Sequence, residues 1–156
     1  MAITIRKAVR NDAATVAKFA AALADLHVGW DAKRFTQVIG DGAARYYGGR
    51  SEADDAAVFV AENEGRIVGF AYIEYEPVLY AELATNVVCL HDIYVEPDSR
   101  GSGAGNGLLD AVKMEAKRLG ADKVLLAVAA SNEHGQHLFK QNGFRTTMLE
   151  MMLSVE

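Results

Sequence analysis

Cysteine is almost absent: Cys89 is the only one in 156 residues. That excludes an intramolecular disulfide and a cysteine-based zinc site, and it suits a reducing, intracellular setting. Long apolar runs are missing as well. The longest, VLLAVAA (Val124–Ala130), falls far short of the roughly 20 residues that span a bilayer. The N-terminus, MAITIRKAVRND, carries charge where a secretion signal needs an apolar stretch. Positive charge is not in excess, since 16 Lys and Arg stand against 21 Asp and Glu for a net charge of −5. A chain of that sign is poorly suited to neutralising nucleic-acid phosphates, and it is compatible with a cationic substrate. No metal set is apparent either: His134 and His137 lie three apart with no third ligand near them in sequence. A cytoplasmic protein acting without nucleic acid or membrane is the expectation.

What is present reads as one domain over residues 1–156, long enough to bury a core. ITIRKAV (Ile3–Val9) alternates as a strand, and Asn11 or Asp12 stands where a helix cap belongs, ahead of Val16, Phe19, Ala20 and Leu23 at helical spacing. WDAKRFTQVI (Trp30–Ile39) predicts a second short helix, and residues 40–55 a loop with a helical turn near Tyr46. AVFVAE and RIVGFAYIEY flank Asn63-Glu64-Gly65, a hairpin signal. NVVCLHDIYV (Asn86–Val95) predicts a strand, followed by a helix to Leu119 that Gly120 stops. KVLLAVAA (Lys123–Ala130), almost wholly apolar, predicts a strand buried on both faces. NEHGQHLFKQNG (Asn132–Gly143) predicts a helix and FRTTMLEMMLSV (Phe144–Val155) a closing strand. The order is mixed α/β.

Between the strand ending at Val95 and the next helix, SRGSGAGNGLL places four glycines in seven positions. Glycine is costly inside regular structure, about 1 kcal/mol against alanine in a helix. At the start of a helix it lets backbone N–H groups approach an anion, which the helix dipole also favours. Arg100 adds a full charge. The segment therefore reads as a phosphate cradle. It lacks the Lys-Ser/Thr of a P-loop, and no register fits the dinucleotide pattern Gly-x-Gly-x-x-Gly. Arg-x-x-Gly-x-Gly is satisfied by Arg100, Gly103 and Gly105.

With that segment the chain resembles the GNAT superfamily of N-acetyltransferases. IRKAVRNDAATVAKF resembles the family's first strand and helix, and VFVAENEGRIVGFAYI its central hairpin. LHDIYVEPDSRGSGAGNGLL resembles its acyl-CoA segment, and SNEHGQHLFKQNGF its C-terminal segment. The resemblance implies a mixed, strongly twisted α/β (α+β) sheet of six to seven strands flanked by helices. Acetyl-CoA would lie in the V between splayed central strands. It further implies that Arg100, Gly101, Ser102, Gly103, Ala104 and Gly105 hold the pyrophosphate of coenzyme A, with Gly107 outside the motif as a packing glycine. Ile93 and Val95 would pair with pantetheine through their backbones, like an added strand. A backbone N–H near Ile93 or Tyr94 would polarise the thioester carbonyl. Asn132 would either contact pantetheine or cap its helix, a role Ser131 could also fill.

Acetyl transfer to an amine needs the neutral nucleophile, on the order of one part in a thousand of an alkylamine at pH 7. A general base removes that handicap. His91 and Asp92 are the candidates; as neighbours on a strand they should point to opposite faces, leaving one to face the substrate. Glu74 and Glu76 are candidates for holding a cationic acceptor. Where the family often has a tyrosine that protonates the departing thiolate, this chain has Phe139, a residue with no proton to give, adjoining the cofactor by position. Another hydroxyl, Tyr94 or a tyrosine of the second or third strand, or water, would take that role. Cys89 reads as a small buried residue rather than a nucleophile. The acceptor, a small primary amine or a peptide amine, would meet Trp30–Gly49 and Glu76–Asn86, where Trp30, Phe35, Tyr46 and Tyr47 are lining or core. The resemblance also implies pairing with a second copy, for which MLEMML near the C-terminus would offer an edge. A non-catalytic acyl-CoA-binding module is the alternative function.

Overall fold

A computed structural model describes residues 2–155. Its elements are β1 (Ile3–Lys7), α1 (Ala13–Trp30), α2 (Ala43–Ser51), β2 (Ala56–Asn63), β3 (Arg66–Leu79) and β4 (Ala84–Val95), then α3 (Ala104–Arg118), β5 (Lys123–Leu125) and α4 (Glu133–Gln141). The five strands lie in sequence order in one sheet. β1 to β4 pair antiparallel and β4 pairs with β5 in parallel. The β2–β3 turn is the predicted one: Glu64 and Gly65 both have positive φ (52° and 80°), which suits the twist of a two-residue hairpin.

The sheet separates two cores. One face packs Phe59, Ala71, Ile73, Val88 and Leu90 against Leu108, Leu109 and Val112 of α3 and Phe139 of α4. The other packs Val58, Val60, Phe70, Tyr72 and Tyr94 against Val16, Phe19 and Ala20 of α1 and Tyr47 of α2. The helical spacing read from α1 and α3 is thus the spacing that is buried.

Several expectations are corrected. Asp12 does not cap α1; its carboxylate accepts the Val9 amide (2.8 Å) and is gripped by Arg6, closing the turn before the helix. The short helix over Trp30–Ile39 is absent, because α1 runs to Trp30 and the Asp31 carboxylate then accepts the amides of Lys33 and Arg34 (3.1 Å each), turning the chain away. The predicted loop contains a helix, α2, despite Gly48-Gly49. Tyr47, only 5% exposed, anchors it in the core, so packing outweighs weak propensity.

Of the eight-residue strand expected at Lys123–Ala130, three residues pair, and none of the eight is buried. Phe144–Val155 forms no strand, and residues 145–155 are all exposed. The sheet therefore has five strands among the described residues, where six to seven were expected.

Candidate active site

β4 organises the site. Tyr72 opposes Asp92 while Ile73 opposes Leu90, so His91 is an extra residue in β4. A bulge of this kind breaks strict alternation. Asp92 reaches Tyr47, whose hydroxyl donates to its carboxylate at 2.8 Å. The His91 ring packs against Tyr72 (centroids 5.5 Å apart), with Nε2 3.7 Å from Glu74. Both side chains thus project to the α1/α2 face, and the expectation that only one could do so is overturned by the bulge.

Around them is a polar network. The Tyr72 hydroxyl donates to Glu74, lies 2.8 Å from the Tyr46 hydroxyl and accepts from Arg50 Nε at 3.1 Å. Arg50 Nη2 stands 3.4 Å from Glu74. Burial pushes Asp92 above the usual carboxylate range, opposed by the Tyr47 hydrogen bond and by His91 and His27. Burial and then Asp92 push the Tyr47 phenol well above its ordinary value, so it stays a donor. The Cys89 thiol is also pushed up, by burial and then by Glu76, Glu74 and Glu82, which opposes thiolate chemistry there. Tyr94 packs on Phe19 (5.4 Å between centroids) and lines a depression of about 410 Å³ with Leu26, Gly29, Trp30 and Pro97. A larger depression, about 570 Å³ between β1 and α3, includes none of these residues.

β4 and β5 pair only at Val87–Cys89 with Lys123–Leu125. Beyond that point Leu90–Val95 keeps β3 on one edge and has no strand on the other among the described residues. The parted edge that pantetheine would need is present, and it carries Ile93 and Val95. The Val95 carbonyl accepts from Arg100 Nε at 3.3 Å, which turns the guanidinium back toward the end of β4.

The four glycines divide in two. Gly101 (φ 80°) and Gly103 (φ 93°) hold left-handed conformations that L side chains rarely adopt. Gly105 and Gly107 sit in α3 for packing, since an added Cβ would lie 3.1 Å from Leu138 and 3.0 Å from Ile5. Among the described residues, the amides of Gly101, Gly103, Gly105 and Asn106 have no backbone acceptor. Ser102 Oγ instead bonds within the loop, donating to Ser99 and accepting weakly from the Ala104 amide (3.4 Å). Donors without a backbone acceptor thus cluster in sequence at the positive end of a 15-residue helix, a chemistry that fits a coenzyme A pyrophosphate.

Asn132 caps α4, its Oδ1 accepting the Gly135 amide at 2.9 Å. Phe139 is 7% exposed and packs edge-on against Phe144 in the α3/α4 core, so it contributes no hydroxyl and little surface. Sequence reasoning missed Arg50, and it offered Tyr72 only among the tyrosines of the second or third strand, as a hydroxyl for the thiolate rather than as a partner of Glu74. The alternation Phe70, Tyr72, Glu74 along β3 was the available signal for Tyr72.

No helix among the described residues is long and apolar enough to cross a membrane. The chain is 30% identical over 103 residues to the uncharacterized N-acetyltransferase YhfO of Bacillus subtilis (strain 168), covering 66% of this chain and 68% of that protein. It is 30% identical over 95 residues to the mycothiol acetyltransferase of Saccharomonospora viridis, covering 60% of this chain and 31% of that much longer protein. In fold it resembles the structure of AAC(6')-Iy in complex with a bisubstrate analogue of coenzyme A (TM-score 0.80, 21% identity, 100% and 99% of the two chains covered). A mutant of the BH1408 protein of Bacillus halodurans is similar at TM-score 0.84 and 21% identity, covering 98% and 99%. Residues 24–144 match the model of the Acetyltransferase (GNAT) family, and the chain belongs to that family.

Proposed function

We propose that this protein is an acetyl-CoA-dependent N-acetyltransferase that acetylates a primary amine of a small molecule or peptide, by direct attack in a ternary complex. The observation that carries the reading is the combination of open amides at the start of α3, a parted edge of β4, and a bulge that turns Asp92 and His91 to one face. Acetyl-CoA supplies the activated acetyl group when bound. Arg100 and the open amides of Gly101, Gly103 and Gly105 hold its pyrophosphate, on a loop that Ser102 and Ala104 brace. Ile93 and Val95 hold the pantetheine arm through their backbones, and an N–H near Ile93 or Tyr94 polarises the reacting carbonyl. Asn132 supports the arm from the cap of α4.

Asp92 is the base. Its raised proton affinity, set by burial, suits it to take a proton from the acceptor directly or through water. His91 and Glu74, 3.7 Å apart, face the incoming ammonium, with Tyr46 and Arg50 bounding it. Tyr94 is the hydroxyl assigned to the departing thiolate. Residues 1–156 are read as a single domain of a cytoplasmic protein that pairs with a second copy. One observation favours a second reading, acyl-CoA binding without turnover: Phe139, at the family's tyrosine position, is buried and carries no proton.

Calorimetric titration with acetyl-CoA, with NAD and ATP as controls, tests the first part. Selective micromolar binding is expected. Folded protein that binds no acetyl-CoA overturns the reading. A following screen of amines for CoA release separates the two: binding with no turnover on any amine supports the second.

A further inference from the structure

Acetylation of an alkylammonium takes two protons from one nitrogen. The first must go before the nitrogen can attack. The second leaves as the amide forms, when the C–S bond breaks and the sulfur gains a proton. The ammonium and acetyl-CoA thus give the amide, the CoA thiol and one proton released to solvent. Asp92 holds one proton at a time, so it must discharge between the two steps. Among the described residues its one hydrogen bond comes from Tyr47, whose phenol donates and does not receive.

His27 is built to receive that proton. It lies half-buried in the last turn of α1. Nδ1 stands 2.8 Å from the Leu23 carbonyl, which only accepts, so Nδ1 carries the hydrogen. That fixes the tautomer of the neutral ring and leaves the Nε2 lone pair open. Nε2 has no hydrogen-bond partner among the described residues. Trp30 and Phe35 meet the ring near edge-on, at 4.9 and 4.8 Å between centroids, so its orientation is held. Trp30 in turn lines the depression at Tyr94. His27 is close enough for its charge to act on Asp92. Charged and titratable groups on the surrounding elements are Asp92 and His91 on β4, Tyr47 on α2, Asp25 on α1, Asp31 and Arg34 after it, and Glu150. Apart from Asp92, these carboxylates are engaged elsewhere: Asp25 by Gln37, Asp31 by the amides of Lys33 and Arg34, Glu150 by Arg34. His91 is the poorer exit. It stands 3.7 Å from Glu74 in the space assigned to the ammonium, where an imidazolium would repel the acceptor.

We propose that His27 relays the acceptor's first proton out of the site: Asp92 takes it from the ammonium, water carries it to Nε2 of His27, and Nε2 passes it to solvent. The electron pair of the broken N–H bond stays on the amine and attacks the thioester carbonyl. Nδ1 keeps its hydrogen on the Leu23 carbonyl throughout, so the ring returns to its starting form and Asp92 is an anion again for the second proton. The relay rests on the N-acetyltransferase reading above. His27 acts through Asp92 and is assigned no contact with the acceptor.

The first test needs no turnover. Carbon-13 NMR of the aspartate carboxyls should place the Asp92 titration at higher pH in His27→Gln than in the unaltered chain, because an imidazolium that lowers it is gone. An unmoved titration overturns the relay. Kinetics follow on the first amine that releases CoA, in dilute buffer. His27→Ala should lower kcat by about tenfold or more, with KM for acetyl-CoA unchanged. Added imidazole should restore kcat in part and saturably, which a packing role would not allow. If the alanine variant unfolds, His27→Gln keeps an N–H for the Leu23 carbonyl and must show the same fall in kcat. A kcat that stays at the unaltered level, or a loss that imidazole leaves untouched, overturns the relay while the enzymatic reading stands. An unaltered chain that releases CoA with no amine overturns that reading itself, and the relay with it.

Discussion

The two faces of the sheet are built for different chemistry. On the α3/α4 side the side chains are apolar, and what is offered to a ligand is backbone: amides at the start of α3 and the parted edge of β4. On the α1/α2 side the offer is made by side chains, with Asp92 on Tyr47 and His91 beside Tyr72 and Glu74. Backbone chemistry tolerates almost any side chain except where φ or close approach demands glycine. Side-chain chemistry depends on named groups. Substitutions on the two faces should therefore fail differently, one in cofactor affinity and the other in turnover.

The largest effect is expected from Asp92→Asn. Loss of a general base costs about 10²–10⁴ in rate, so kcat should fall in that range while acetyl-CoA affinity holds. His91→Gln should lower kcat less and raise KM for a cationic acceptor, because His91 is exposed and its companion Glu74 remains. Steady-state kinetics on the first amine that releases CoA measures both. A larger loss at His91 than at Asp92 would exchange their roles.

Next comes Gly103→Val. A Cβ there meets nothing within 4 Å, so the penalty is conformational: φ 93° must be abandoned or strained, at about 1–3 kcal/mol. If the loop rearranges, the open amides lose their common aim, and calorimetry should show acetyl-CoA binding weaker by about ten- to a hundredfold. Gly107→Val is the contrast. Its side chain runs into Ile5, with the Cβ 3.0 Å from Cγ1, and overpacking of this kind costs about 1–3 kcal/mol of stability. Thermal unfolding should register the loss while the folded fraction binds acetyl-CoA normally. Equal affinity losses at both positions would collapse the division into ligand and packing glycines.

The same division explains what could be read from the chain beforehand. The glycine turn before α3 was legible because backbone conformation leaves a local mark, glycines and an arginine within six residues. The Tyr47–Asp92 pair joins α2 to β4 across 45 positions and leaves none. The His91 bulge depends on how β3 and β4 register, which neither strand states alone. α2 was read as a loop because Gly48 and Gly49 weaken its local signal, whereas burial of Tyr47 decides its structure. The C-terminal strand pattern was legible, yet strand structure needs a neighbour, and among the described residues no strand pairs with it.

The smallest effect, and the finest probe of the side-chain face, is Tyr47→Phe. Asp92 sits above its ordinary range because burial outweighs the hydrogen bond from Tyr47. Removing the hydroxyl removes an influence that lowers it, so Asp92 should rise further. The acid limb of kcat/KM, which follows loss of the Asp92 proton, should move to higher pH. Stability carries the same sign. In the fold Asp92 keeps its proton above the unfolded value of about 3.9, so its contribution to stability falls as pH rises from there through the folded value. Asp92→Asn abolishes that fall and Tyr47→Phe extends it to higher pH. Denaturant unfolding of the three proteins across pH measures the slopes. An acid limb that stays in place or moves to lower pH would show that Tyr47 does not set the proton affinity of Asp92, leaving the phenol as packing beneath the site.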